Sequence, residues 1–229
     1  MRPVEIWPPI LFGSEVSLAR VRDPFGLAVS ALKARLRTGA YGLGRPLLIS
    51  EVAEELGLST TPVREAMARL VGEGLIEEHR GRGYMTWRLD AADLTELYEL
   101  EGLYIAWSLD LCAARGVAPQ SLNAWRSAEA MSLPQRLHSG LMTLVAAPGH
   151  GALYLAYQRT AEQLGPARQV EGLILQQAVD EYEALVDGLE RGAFGELSVW
   201  AQGFSQSRLE RVVEIASSLR RGSVSLGNI

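Results

Sequence analysis

Residues 48–86 read LISEVAEELGLSTTPVREAMARLVGEGLIEEHRGRGYMT, and the order of periods within this stretch decides the fold. Val52, Ala53 and Leu56 recur at helical spacing, with Ser50 as the candidate N-cap and Gly57 as the stop. Ser59-Thr60-Thr61-Pro62 then opens a second helix. Thr61 can cap it, Pro62 suits the first helical position because that N–H would be unbonded anyway, and Val63, Ala66, Met67 and Leu70 form its apolar face. Two short helices joined by about three residues make a helix-turn-helix. After Gly74 the period changes. Leu75-Ile76 and Tyr84-Met85-Thr86-Trp87 read as strands about a tip at Arg80-Gly81-Arg82-Gly83, where glycine supplies the positive φ that a tight tip needs. A hairpin directly after a helix-turn-helix is a wing.

Upstream, residues 25–38 place Leu27, Ala31, Leu32, Ala34 and Leu36 near one helical face before Gly39 stops the period, and YGLGRPL is a turn-rich connector. Residues 1–23 are irregular, broken by Pro3, Pro8, Pro9 and Gly13, and carry no secretory pattern, so a cytoplasmic location is expected. Downstream of Asp90 every period is helical, over roughly 91–116, 120–131, 134–146, 149–164, 170–191 and 194–221. The expected fold is therefore mostly α: an N-terminal extension (1–24), a winged helix-turn-helix domain (25–89), an all-α bundle (90–222) and a tail (223–229).

Composition sets limits on the chemistry. The chain has 229 residues, 48% of them hydrophobic and 21% charged, which fits a globular protein, and it has no apolar run long enough to span a membrane. One cysteine excludes an internal disulfide framework, and three histidines leave little for metal chemistry. The net charge of −5 argues against nucleic acid only while it is taken whole. Residues 1–88 carry 12 basic against 10 acidic side chains, net +2, and residues 89–229 carry 10 against 17, net −7. The acidity belongs to the helical half.

A helix entering the major groove by its N-terminal turn offers hydroxyls and an arginine to base edges and phosphates, which is what Ser59, Thr60, Thr61 and Arg64 supply. Arg80 and Arg82 at the wing tip can enter the minor groove or grip phosphate, and His79 is a further candidate for phosphate. The alternative is capping hydroxyls and solvated arginines; the consecutive arrangement favours the DNA reading. No nucleophile elbow, phosphate loop or two-histidine zinc motif points to an enzyme. Glu181, Glu183 and Asp187 read as a solvated acidic face, Cys112 as a buried small hydrophobe, and Trp107, Trp125 and Trp200 as core or interface.

The 48–86 stretch resembles the winged helix-turn-helix of the GntR family of bacterial transcription regulators, whose pattern runs "lae-lgvSrTPvReAl-rLe-eGlv…rG-V". Carried over position by position, the DNA contacts that the resemblance implies are Ser50, Ser59, Thr60, Thr61, Arg64, Arg80 and Gly81, with Arg82 beside them. Typical members have an arginine where this chain has Thr60, so the operator sequence does not carry over. Residues 93–116, DLTELYELEGLYIAWSLDLCAARG, resemble the first helix of the FadR-type effector domain, with Glu101 and Ile105 where arginine and glutamate are usual. Many members hold a metal there; the corresponding positions are Pro134, His138, Tyr182 and Phe204, so the resemblance implies no metal and no cofactor. It implies a homodimer, usually a repressor, on a double-stranded DNA operator. His138, Tyr182 and Phe204 would line a pocket for an organic acid or an apolar effector; a hydrogen-bonded core histidine is the plainer role for His138. The competing reading is a winged-helix module without a ligand, regulated by a protein partner.

Overall fold

The computed structural model describes residues 23–117 and 131–225. Helix α1 (Pro24–Thr38) starts where Asp23 accepts the Gly26 N–H at 2.8 Å and ends at left-handed Gly39. Its buried face is Ala28, Val29 and Leu32, whereas Leu27 is 41% exposed, so the inward stripe is rotated from the one expected. The connector contributes a strand, β1 (Pro46–Leu47), in addition to turns. Pro46 lies at the sheet edge, where a missing N–H is tolerated.

Helices α2 (Ile49–Leu56) and α3 (Thr60–Gly72) form the helix-turn-helix. Both expected caps shift. Leu48 is the extended residue before α2, which puts Ser50 inside the first turn. Ser59, with extended ψ of 160°, precedes α3, so Thr60 and Thr61 are helical and Pro62 is its third residue. Strands β2 (Ile76–His79) and β3 (Gly83–Thr86) form the wing, in the order β1-β3-β2, with Glu78 opposite Tyr84 and His79 opposite Gly83. At the tip Gly81 and Gly83 have φ of 74° and 78°, and the Arg82 N–H donates to His79 O at 2.9 Å. This half closes over one interior of Ala28, Leu32, Val52, Val63, Met67, Leu70 and Ile76.

Asp90 and Asp93 form a reciprocal capping box that starts α4 (Ala91–Arg115). Then follow α5 (Leu133–Ala146), α6 (Gly151–Gln163), α7 (Gly165–Ile174), α8 (Ala178–Arg191), α9 (Phe194–Glu210) and α10 (Val212–Ser225). Two expected single helices are each two. The 170–191 period breaks at Leu175, which is extended, and the 194–221 period breaks at Arg211, with φ −108° and ψ 9°. The expected 120–131 helix up to residue 130, Trp125, residues 1–22 and the last four residues of the tail lie outside the described residues, and Met131 is a bend. Ile105, Leu109, Leu141, Leu144, Tyr157, Leu185, Leu197 and Phe204 form the bundle core. A third cluster, containing Leu89, Leu94, Tyr98, Leu164, Ala167 and Ile215, packs against Trp87 and Leu43 and joins the two halves. Among the described residues no helix is long and apolar enough to cross a membrane.

Candidate nucleic-acid interface

Ser50, Ser59, Thr60, Thr61 and Arg64 are all exposed along the start of α2 and the first turns of α3. The opposite side of α3 is fixed by Val63, Ala66, Met67 and Leu70, each fully buried, so the hydroxyl and guanidinium face has one orientation available to it. Arg80, Gly81 and Arg82 are exposed at the wing tip. Two other arginines of this half are neutralised within it. Arg35 donates to Glu55 at 2.6 Å, and Arg69 to Glu73 at 2.8 Å. Among the described residues Arg64, Arg80 and Arg82 have no such carboxylate, which leaves their charge for an external anion. His79 is different: its Nε2 lies 2.6 Å from Glu77 on the same strand, so a carboxylate already occupies it.

The residues expected to line an effector pocket each have a partner within the chain. Phe204 is 1% exposed, stacked on Trp200 with ring centres 4.8 Å apart, and lies beneath the Arg208 guanidinium at 3.6 Å. Tyr182 faces Arg136, whose guanidinium is 5.1 Å from its ring centre. His138 accepts from Arg37 Nη1 of α1 at 3.3 Å. Burial, then Arg37 and Arg168, push its imidazole down to about 3, so the ring is neutral. A guanidinium at the one histidine, beside proline, tyrosine and phenylalanine at the other positions, does not fit a divalent cation.

What fills the bundle instead is a buried ion network that the sequence alone does not display. Arg168 donates to both oxygens of Glu171, at 2.7 and 2.8 Å, and to Glu101. Arg208, with no exposed surface, donates from Nε to Glu171 at 3.1 Å and from Nη1 to Glu181 at 2.6 Å. Tyr98 donates to Glu171 at 2.8 Å, and Tyr157 to Glu101 at 3.3 Å. Burial alone would raise the Glu171 carboxyl, but Arg168 and Arg208 outweigh it and hold the group below the usual carboxylate range. Glu181 is thus an internal ion-pair partner, and the expected solvated acidic face retains only Glu183 and Asp187. Cys112 is fully buried, and burial pushes its thiol up to about 11. His150 caps α6, accepting the Leu153 N–H at 3.2 Å.

An exposed helix N-terminus and an arginine-bearing wing on a rigid three-helix support define a winged helix-turn-helix DNA-binding domain. The comparisons agree. Residues 28–85 match the family model for bacterial regulatory proteins of the gntR family. A stretch of 73 residues is 38% identical to an uncharacterized HTH-type transcriptional regulator of Agrobacterium vitis, and 95 residues are 34% identical to the HTH-type transcriptional regulator McbR of Escherichia coli K12. These matches span 32% and 40% of this chain but only 43% and 41% of the relatives. In structure the chain is similar to E. coli McbR/YncC, with a TM-score of 0.66 at 19% identity over 83% of this chain and 97% of that one. A GntR regulator from Rhodococcus sp. RHA1 gives 0.59 at 17% identity, over 81% and 97%. That likeness is one of fold and extends over most of the chain.

Proposed function

We propose that the chain is a dimeric cytoplasmic transcription regulator, most simply a repressor. Residues 25–89 read DNA, and residues 90–222 dimerise and control the affinity. The observation that carries this reading is the set of uncommitted side chains, Ser59, Thr60, Thr61, Arg64, Arg80 and Arg82, with Gly81 between the last two, at the two points where a winged helix meets the groove and the backbone. Ser50, at the start of α2, supports them from the neighbouring turn.

Dimerisation is supported by α4, which is apolar on both sides. Its inner side is Leu97, Ile105, Leu109 and Cys112, and its outer side carries Leu103, 68% exposed, and Trp107, 49% exposed. Neighbouring α9 adds Val199, 70% exposed. On control, the ion network favours the ligand-independent reading. A carboxylate effector would find Arg168 and Arg208 already committed to Glu101, Glu171 and Glu181, so control by a protein partner needs no pocket to be opened.

Sequencing of genomic fragments retained by the purified chain should recover a two-fold symmetric sequence with half-sites about one helical turn apart, ~34 Å. Leu103→Glu, which places a charge in the proposed interface, should sediment as a monomer and bind that sequence at least about tenfold more weakly. Fragments with no shared sequence would contradict the DNA reading, and a Leu103→Glu dimer would contradict the interface.

A further inference from the structure

We propose that α7 is the coupling element of this protein: it holds the DNA-binding half through Gly165 at its start and anchors in the buried ion network through Arg168 and Glu171, one and nearly two turns later. This rests on the regulator reading and names the device that regulates it.

The grip at the start of α7 is a backbone contact. A Cβ placed on Gly165 would fall 2.7 Å from Cα of Arg37 and 2.6 Å from its Cγ, so no side chain fits between α7 and the end of α1. Gly165 has an ordinary helical conformation, so closeness, not φ, demands glycine here. The Arg37 side chain then runs across the seam, its Nη1 3.3 Å from both Glu162 Oε1 on α6 and His138 Nε2 on α5. Burial raises the Glu162 carboxyl, against Arg37 and Lys33, which draw it down. A second hold comes from Gln163, whose Nε2 donates to the Gly74 carbonyl just beyond α3 at 2.9 Å. Beside these contacts a cleft lined by Lys33, Leu36, Tyr41, Trp87 and Glu162 has only about 30 Å³ of water-accessible space, so the seam is close-fitting but incompletely filled.

The same helix is anchored inside the bundle. Glu171 receives Arg168, Arg208 and Tyr98, and Arg168 also reaches Glu101. With ten residues α7 moves as one short rod, so a displacement at Glu171 is a displacement at Gly165. The seam contacts use Arg37, Gly39 and Gly74, with Leu43 and Trp87 in the apolar cluster, and none of them uses Ser59–Arg64 or the wing tip. Docking therefore leaves the DNA face open and sets its orientation, and whatever rearranges the network, ligand or partner, shifts the docked population.

Gly165→Ala and Gly172→Ala separate this device from a general effect on α7. Both replace a helical glycine of the same helix, and a Cβ at Gly172 meets nothing within 4 Å. Alanine is the better helix former, so α7 itself gains in both variants. With the full-length chain alone, Gly165→Ala should enlarge the radius of gyration in small-angle scattering and speed trypsin cleavage after Arg88 at least about tenfold, while Gly172→Ala matches wild type. Because coupling is reciprocal, amides 168–175 should exchange hydrogen at least about tenfold faster in Gly165→Ala. A Gly165→Ala chain as compact and protease-resistant as Gly172→Ala overturns the docking contact. Undocking with unchanged exchange in 168–175 overturns the coupling. None of these measurements uses DNA, so their failure is distinct from a failure of the DNA-binding reading.

Discussion

Arg208→Met should destabilise the helical bundle by about 3–5 kcal/mol, because removal of one partner from a buried ion pair leaves its carboxylates uncompensated. Arg208 has no exposed surface and faces both Glu171 and Glu181. Without it, Arg168 alone faces the buried carboxylates Glu101 and Glu171. Thermal unfolding should show the bundle transition lowered by roughly 10 °C. Adding Glu171→Gln to the same chain removes one of the stranded charges, so the double variant should recover part of the loss. A double variant that loses the full sum of the two single effects would mean that Glu171 stabilises the bundle independently of Arg208.

Arg64→Ala should leave stability within about 0.5 kcal/mol of wild type, since the side chain is exposed and has no internal partner among the described residues. DNA affinity should fall far more. An arginine contact to a base edge contributes about 1–3 kcal/mol, and a symmetric dimer loses two of them, which corresponds to a drop of at least about thirtyfold. Equilibrium binding to the recovered duplex measures this directly. Arg80→Ala is the contrasting variant. A phosphate contact weakens all sequences alike and reduces the salt slope by about one per lost contact, without changing which sequence is preferred. Normal binding by Arg64→Ala would remove α3 from the interface.

The DNA-reading half is legible in the sequence because each of its elements carries its own punctuation. Gly57, Gly74, Gly81 and Gly83 mark turns that need left-handed backbone, and all four have positive φ. The caps were harder to place. Ser59, Thr60 and Thr61 are all capable residues, and proline is tolerated throughout the first turn, so the residue types permit several registers and only the backbone chooses Ser59. The helical half hides its breaks for the opposite reason. Leu175 and Arg211 interrupt helices without glycine or proline, and the apolar period continues across both. The ion network is hidden by distance. Glu101, Arg168, Glu171, Glu181 and Arg208 come from α4, α7, α8 and α9, and residues scattered over more than a hundred positions look individually like solvated surface. The one local sign was Glu101, acidic where the resembling family carries arginine.

On the operator, the first turn of α3 from each protomer should lie in the major groove of one of two successive half-sites. The most direct measurement is DNA cleavage by an iron chelate tethered to a Thr60→Cys variant. Thr60 is exposed, whereas Cys112 is fully buried with its thiol pushed up to about 11, so labelling goes to position 60. Two clusters of strand scission should appear, centred about one helical turn apart on the recovered duplex. Scission spread evenly along the bound DNA, or none while the labelled protein stays bound, would contradict that placement of α3.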